Sequence, residues 1–343
     1  MEIFIPNATT KSGVHIKDDL RTQGFTVGDR LTPNTDAIIP LTDNDIVRTI
    51  TTYTDRRIPS VSLEKFNQLT DKSNTEMFTK HQINVPDTIV PMSIKDVEDF
   101  PHDSVIMKMC QSFAKRPYSF THKTLSKETF LSRLPSNFFE YQSTCKRGDR
   151  YVLQQSLRTE EVLPVIILSV GTNSKGDLFT TRYSQAFYTN GEVNNHGFAW
   201  FASFPQNVLD FFDKLQNFVR EEQVLRSMFS VQLIENNGEL LLIDWNHRHT
   251  IPGIQLNLLT EPQSYSAFLR NVYQDSNEQY QFTQDWVCSR LDCPTNFRND
   301  FDLLAKYPNV KIIPGDVPNK SAYYTEYQYK EQLYEYQNAF LRG

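Results

Sequence analysis

The chain is 343 residues long, with 39% hydrophobic and 22% charged residues, which excludes wholesale disorder and leaves length for roughly two domains. It carries 35 Lys and Arg against 41 Asp and Glu, and the net charge of −6 argues against an obligate nucleic-acid coat or a binder of anionic membranes. No apolar run reaches the roughly 20 residues of a membrane span, and the opening Met1-Glu2-Ile3-Phe4-Ile5-Pro6 has neither the basic stretch nor the small-residue cleavage site of a secretory leader.

The first 68 residues predict a small α/β unit. Glu2 to Ile5 reads as a strand, Asn7 to Gly13 as a polar loop, and Val14 to Gln23 as a helix stopped by Gly24. Phe25 to Val27, Ala37 to Pro40 and Ile58 to Val61 read as further short strands, with a helix over Asp43 to Tyr53 capped by Thr42 or Asp43. Strands alternating with helices favour a parallel sheet. The loop after the first strand matches neither G-x-G-x-x-G nor the P-loop, so it reads as a connection.

Ser62 to Gln82 predicts one or two helices, with Asp71-Lys72 opening the second, and Ile83 to Thr88 breaks the pattern. Val105 to Met109 is a short apolar strand holding Lys108, followed by a polar loop to His122 and a helix over Lys127 to Leu134. Tyr151 to Gln155 and Val162 to Val170 read as strands; a turn at residues 173–177 leads into Leu178 to Tyr188. Asn207 to Glu221 is amphipathic, with Val208, Phe211, Phe212, Leu215 and Phe218 on one face. Phe229 to Ile234 and Glu239 to Ile243 pair around Asn236-Asn237-Gly238, and the second strand runs into Asp244-Trp245-Asn246-His247-Arg248. Residues 264–322 hold helices and Pro-Gly breaks without a motif, and Tyr323 to Phe340 reads as a packed terminal helix.

Three spaced signals carry chemistry: Lys72, Lys108 and the strand-end cluster. In a strand, alternate residues share a face, so Asp244, Asn246 and Arg248 point one way. A carboxylate beside an amide oxygen suits Mg²⁺ that also holds phosphates. An arginine two residues on can grip a phosphate or carboxylate, and two lysines can supply charge to a phosphate chain. Taken alone, the Asp-x-Asn-x-Arg pattern also fits a solvated loop after a buried strand.

In this order the segments resemble the ATP-grasp superfamily, in particular its biotin carboxylase and carbamoyl phosphate synthase type. Asp71-Lys72 through Val85-Pro86-Asp87-Thr88 is similar to the start of the family's first grasp subdomain. Val105-Ile106-Met107-Lys108 resembles the strand whose lysine touches ATP, and residues 229–248 resemble the paired strands ending in E-x-N-x-R. The resemblance implies an α+β ATP-grasp fold preceded by a small α/β parallel-sheet domain. It divides the chain into 1–68, grasp subdomains 69–155 and 156–262, and a helical extension 263–343. It further implies that Lys72 and Lys108 bind ATP phosphates, that Gln154, Gln155 and Leu157 form the hinge strand at the adenine, and that Glu161 reaches the ribose. Asp244 and Asn246 would bind Mg²⁺, with Gln232 in the place of the other metal-binding acid, and Arg248 would stabilise the acyl phosphate or the phosphoryl group in transfer. The sequence departs from the family at three points. The flap over the phosphates has no glycine and offers Lys115 or Arg116 instead, unless these are plain surface charges. The hinge has Gln155 for glutamate, and the metal site has the neutral Gln232 for a carboxylate, so it holds one firm metal or is weakened outright.

Remaining candidates fit ordinary roles. His247 and His249 lack an evident third ligand and read as loop histidines; Lys175, Arg182 and Asn194-Asn195-His196 either line a second-substrate site or form a hairpin edge. The spacing of Cys110, Cys145, Cys288 and Cys293 fits neither a zinc ribbon nor a redox pair, so reduced cytoplasmic thiols are expected. The expected function is an ATP- and Mg²⁺-dependent carboxylate–amine ligase acting on small molecules. The alternatives are a catalytically weak or inactive nucleotide-binding protein on the same fold, and an interaction protein with no nucleotide.

Overall fold

The computed structural model describes residues 1–6, 9–52, 61–111, 124–157, 165–188, 196–292, 305–314, 320–333 and 335. The predicted strand at residues 58–60, the flap with Lys115 and Arg116, Glu161, Asn194-Asn195, Cys293 and the tail after 335 lie outside them.

The N-terminal unit contains β1 (Glu2–Phe4), α1 (Lys11–Thr22), β2 (Thr26–Gly28), β3 (Ala37–Ile38) and α2 (Asp43–Thr52). β1 lies between β2 and β3, parallel to both. The helix α1 begins earlier than the loop expected at Asn7 to Gly13 allows. Thr10 is extended, and its hydroxyl accepts a hydrogen bond from the Gly13 N–H at 3.1 Å, so the cap sits at Thr10.

Helices α3 (Leu63–Thr70) and α4 (Thr75–Thr79) follow, and Lys72 lies in the turn between them rather than at a helix start. Next come β4 (Thr88–Ile89), α5 (Ile94–Glu98), β5 (Ser104–Met109), β6 (Thr124–Ser126), α6 (Lys127–Arg133), α7 (Phe138–Thr144) and β7 (Tyr151–Gln155). Their strands make an antiparallel sheet in the order β4-β7-β5-β6. Val105, Met107, Met109, Tyr151 and Leu153 pack one face of it against Val97, Phe130 and Phe138 from the helices.

The remaining elements are β8 (Val165–Thr172), β9 (Leu178–Tyr188), β10 (His196–Phe201), α8 (Gln206–Glu221), β11 (Ser227–Asn236), β12 (Glu239–Asn246), α9 (Ile251–Thr260), α10 (Pro262–Gln274), β13 (Trp286–Asp292), β14 (Lys311–Pro314) and β15 (Lys320–Glu326). They build one eight-stranded sheet, β12-β11-β8-β9-β10-β13-β15-β14. On one face, Ile166, Leu168, Val170, Phe229, Val231 and Leu233 pack against the apolar stripe of α8 and against Phe66 and Phe78 of α3 and α4. On the other, α9, α10 and the N-terminal unit form a joint core that includes Ile3, Ile16, Ile254, Phe268 and Val272. Every residue of β8 is buried, as a strand covered on both sides requires. A Cβ on Gly171 would stand 2.5 Å from Val272 Cγ2, so only glycine lets α10 pack this closely.

The β11–β12 hairpin has Asn237 at φ 53° and Gly238 at φ 83°, the left-handed pair that a two-residue turn demands. The expectation of a helical extension after 263 holds only for α10. Beyond it the regular elements are chiefly the strands β13, β14 and β15; β15 takes Tyr323–Glu326 out of the helix expected from Tyr323 onward, while Tyr327–Tyr329 form a 3-10 turn and residues 330–333 are helical, as expected. Tyr323 and Tyr324 alternate between two separate cores, which gives both faces of β15 an aromatic character that resembles a helical stripe in sequence. Among the described residues no helix is long and apolar enough to cross a membrane, and Cys110, Cys145 and Cys288 are free thiols.

Candidate active site

The small sheet supplies one wall of a cleft by simple alternation. Since Val105, Met107 and Met109 face the helices, Ile106 and Lys108 face the other way; so do Val152 and Gln154 of β7, set between Tyr151, Leu153 and Gln155. Lys108 is buried, and its Nζ donates to Gln154 Oε1 at 2.8 Å and to the Ile243 carbonyl of β12 at 3.4 Å. This lysine therefore bridges the two sheets. Gln154 in turn donates through Nε2 to Thr88 Oγ1 at 3.0 Å, which fixes its oxygen toward the lysine. Gln155 sits opposite Val105, on the helix-packed face, so Gln154 and not Gln155 brings its side chain to the cleft. Leu157, half-buried, follows directly after β7.

The opposite wall depends on an irregularity that sequence alternation alone does not reveal. Leu240 and Leu242 belong to the core face of the large sheet, and strict alternation would send Asp244 and Asn246 into that core as well. The pairing shifts instead: Leu242 lies opposite Leu233, but Asp244 lies opposite Gln232, with Ile243 as the extra residue. After this bulge Trp245 takes the core position, stacked on Phe229 at 4.3 Å, and Asp244 shares a face with Gln232. Ser230 pairs with Asn246 further along this face, and its hydroxyl donates to the Arg248 carbonyl at 2.9 Å. Val165, Ile167 and Ile243 form a small apolar cluster beside these groups; no local sequence pattern marks it, because the residues are far apart along the chain.

Lys72 reaches this wall from the turn between α3 and α4. Asp71 Oδ1 accepts from the Ser73 N–H at 2.9 Å and its hydroxyl at 2.6 Å, while Oδ2 pairs with Arg147 Nε at 2.7 Å. The Lys72 N–H donates to the Cys110 carbonyl at 2.9 Å, which ties the turn to the end of β5. From there Lys72 Nζ lies 2.7 Å from Asp244 Oδ1. Burial pushes the Asp244 carboxyl up, but the charge and hydrogen bond of Lys72, with Lys108 behind it, outweigh burial and hold the carboxyl below its usual range. A crevice lined by Lys72, Gln154 and Asp244 joins the three elements.

Among the described residues this face offers the Asp244 carboxylate, the amides of Gln232 and Asn246 and the Ser230 hydroxyl as oxygen donors. Among the described residues no three His, Cys, Asp or Glu side chains gather around a metal position. The set suits one hard cation that completes its coordination with phosphate oxygens, and the Lys72 ammonium already stands where such a cation would sit.

His247 and His249 lie in the loop after β12, as expected, but their side chains are packed inside. The His247 ring lies tilted against Phe66, with centroids 4.8 Å apart, and burial lowers its pKa to about 3; His249 hydrogen-bonds the Val170 carbonyl at 2.8 Å, and burial lowers its pKa to about 4. Arg182 is fully buried: it donates to the Gln284 carbonyl at 2.8 Å and to Asn257 Oδ1 at 2.7 Å, pairs with Glu261 and lies over the Phe282 ring. It is thus a structural hub rather than an open substrate contact, and Lys175 is exposed in the β8–β9 turn.

Two sheets meeting across a cleft, after a small parallel-sheet unit, constitute the ATP-grasp fold. The chain superposes on N5-carboxyaminoimidazole synthetase from Staphylococcus aureus complexed with ADP at a TM-score of 0.67 and 10% identity, covering 98% of this chain and 96% of that one. The L-amino acid ligase from Bacillus licheniformis gives 0.62 at 11% identity, with 99% and 97% covered. An Archaeoglobus fulgidus structure described as an ATP-grasp superfamily protein gives 0.58 at 10% identity, with 95% and 99% covered. No family model matches the sequence, and no curated protein matches it. At these identities the likeness carries the fold and leaves the activity to the site.

Proposed function

We propose that the protein is an ATP- and Mg²⁺-dependent ligase that activates a small-molecule carboxylate as an acyl phosphate and joins it to an amine. The observation that carries this reading is the convergence of Lys72, Lys108, Gln154 and Asp244, from separate elements, on one cleft between two sheets. Residues 69–155 and 156–262 would act as the two halves of the grasp, behind the unit at 1–68. In this assignment Gln154 and the backbone near Leu157 meet the adenine, Glu161 the ribose, and Lys72, Lys108 and Lys115 the phosphates. Asp244, Asn246 and, more weakly, Gln232 would hold Mg²⁺, which when bound neutralises phosphate charge and polarises the transferring group.

The chain's own groups then have defined tasks. Lys72 and Lys108 hold the phosphate chain in line with the substrate carboxylate, whose oxygen attacks the γ-phosphorus. The bond from that phosphorus to the bridging oxygen breaks, and ADP leaves. Arg248 steadies the charge on the acyl phosphate. The amine attacks the acyl carbon and loses a proton; the carbon–oxygen bond to phosphate breaks, giving an amide and inorganic phosphate. ADP release in the presence of pooled amino acids and other carboxylates tests the proposal. Lys108→Ala and Asp244→Ala should abolish turnover, and unchanged turnover in both would show that the site is wrongly assigned.

A second reading, a nucleotide-binding protein without turnover, is favoured by one observation: the neutral Gln232 stands opposite Asp244. ADP binding together with no turnover over the whole screen would select it. A thermal-shift scan with Mg-ATP or Mg-ADP that finds no stabilisation would select a protein without nucleotide; a ligand at 100 times its Kd adds about 2.7 kcal/mol.

A further inference from the structure

We infer that Lys72 is a built-in counter-cation that occupies the Asp244 carboxylate until a nucleotide draws it away, so that a divalent cation binds only together with nucleotide. The inference rests on the nucleotide reading above and specifies how the same site is regulated. Lys72 Nζ lies 2.7 Å from Asp244 Oδ1, with the two side chains only 7% and 18% exposed. Asn246 turns its amide nitrogen toward the other carboxylate oxygen, Oδ2, at 3.4 Å. Both oxygens of Asp244 thus already face donors of the chain itself. The adjoining crevice measures about 30 Å³, room for little more than a water, so a hydrated divalent ion does not fit beside the ammonium. Like-charge repulsion at such range opposes it further.

The geometry also permits release. The Lys72 main chain is pinned by the Cys110 carbonyl and by the Asp71 turn, so the exchange needs only the side chain to swing. A lysine stem is flexible and its ammonium is a compact point charge, suited to moving from a carboxylate to a phosphate. Once it moves, Asp244 and the phosphates together offer a cation site that neither offers alone. By linkage, whatever nucleotide contributes to metal affinity, metal contributes equally to nucleotide affinity.

The test is a titration of the intact protein with Mn²⁺, with free ion read by electron paramagnetic resonance and no nucleotide present. Lys72→Met should bind Mn²⁺ at least about tenfold more tightly than wild type, within the usual range of such couplings. The same variant should bind ADP more weakly in EDTA by calorimetry, and adding Asp244→Asn should remove the gained Mn²⁺ binding. Lys72→Gln serves if circular dichroism shows that Lys72→Met is unfolded. Equal Mn²⁺ affinity in wild type and variant, with ADP binding by wild type intact, overturns this inference alone. Absence of ADP binding by wild type in every condition overturns the nucleotide reading instead.

Discussion

Glu222, at the end of α8, offers a quantitative handle on how the Lys72 turn is held. Its carboxylate pairs with Lys65 Nζ of α3 at 2.6 Å, and with Lys80 Nζ at 2.5 Å and His81 Nε2 at 2.9 Å just after α4. One acid thus clamps both helices that flank Lys72. Burial raises the pKa of this carboxyl, but the hydrogen bonds from Lys65, Lys80 and His81 outweigh it and lower the value from 4.5 to about 2. Fully expressed, that depression corresponds to about 3 kcal/mol. The cluster lies where water and salt screen it, so we expect Glu222→Gln to lose about 1–2 kcal/mol at low salt. Because the folded pKa is depressed, the contribution is present above the unfolded value of 4.5 and disappears as pH falls toward 2. Urea unfolding of wild type and Glu222→Gln at neutral pH and at acidic pH, in low and high salt, measures it. The difference should shrink with salt and with acid, and ADP affinity should fall in the variant because the Lys72 turn loosens. A variant as stable as wild type at neutral pH and low salt would refute the clamp.

Two further perturbations address the site and its scaffold. Gln232→Glu, which places a second carboxylate opposite Asp244, should strengthen Mg²⁺ binding in the presence of ADP; an unchanged affinity by calorimetry would show that Gln232 does not face the metal position. Arg182→Met should cost about 3–5 kcal/mol in urea unfolding, because Glu261 loses its buried partner, whereas an altered Michaelis constant with intact stability would return Arg182 to the substrate site.

How much of this was legible in the sequence follows from the range of the interactions. The strand with Lys108, the α8 stripe and the Asn237-Gly238 turn are set by local periodicity and turn chemistry, and each lies where the pattern puts it. Alternation puts Asp244, Asn246 and Arg248 on one face; the strand carries Asp244 and Asn246 that way, Arg248 lies beyond its end, and only the bulge at Ile243 decides that the face is the cleft and not the core. The Arg182 hub was hidden because its partners Asn257, Glu261 and Gln284 lie 75 to 102 residues away. His247 and His249 stand in the polar segment Asn246-His247-Arg248-His249-Thr250, where nothing local marks them as interior; Phe66 and Phe268, distant in sequence, supply their surroundings.

If the groups of the two sheets surround one triphosphate, a crystal structure with Mg²⁺ and a non-hydrolysable ATP analogue will show it. The phosphates should lie between Lys72 and Lys108, with Lys72 withdrawn from Asp244 and the cation in its place. An analogue bound elsewhere, or bound in the cleft with the Lys72–Asp244 pair still closed around a second cation, would contradict it.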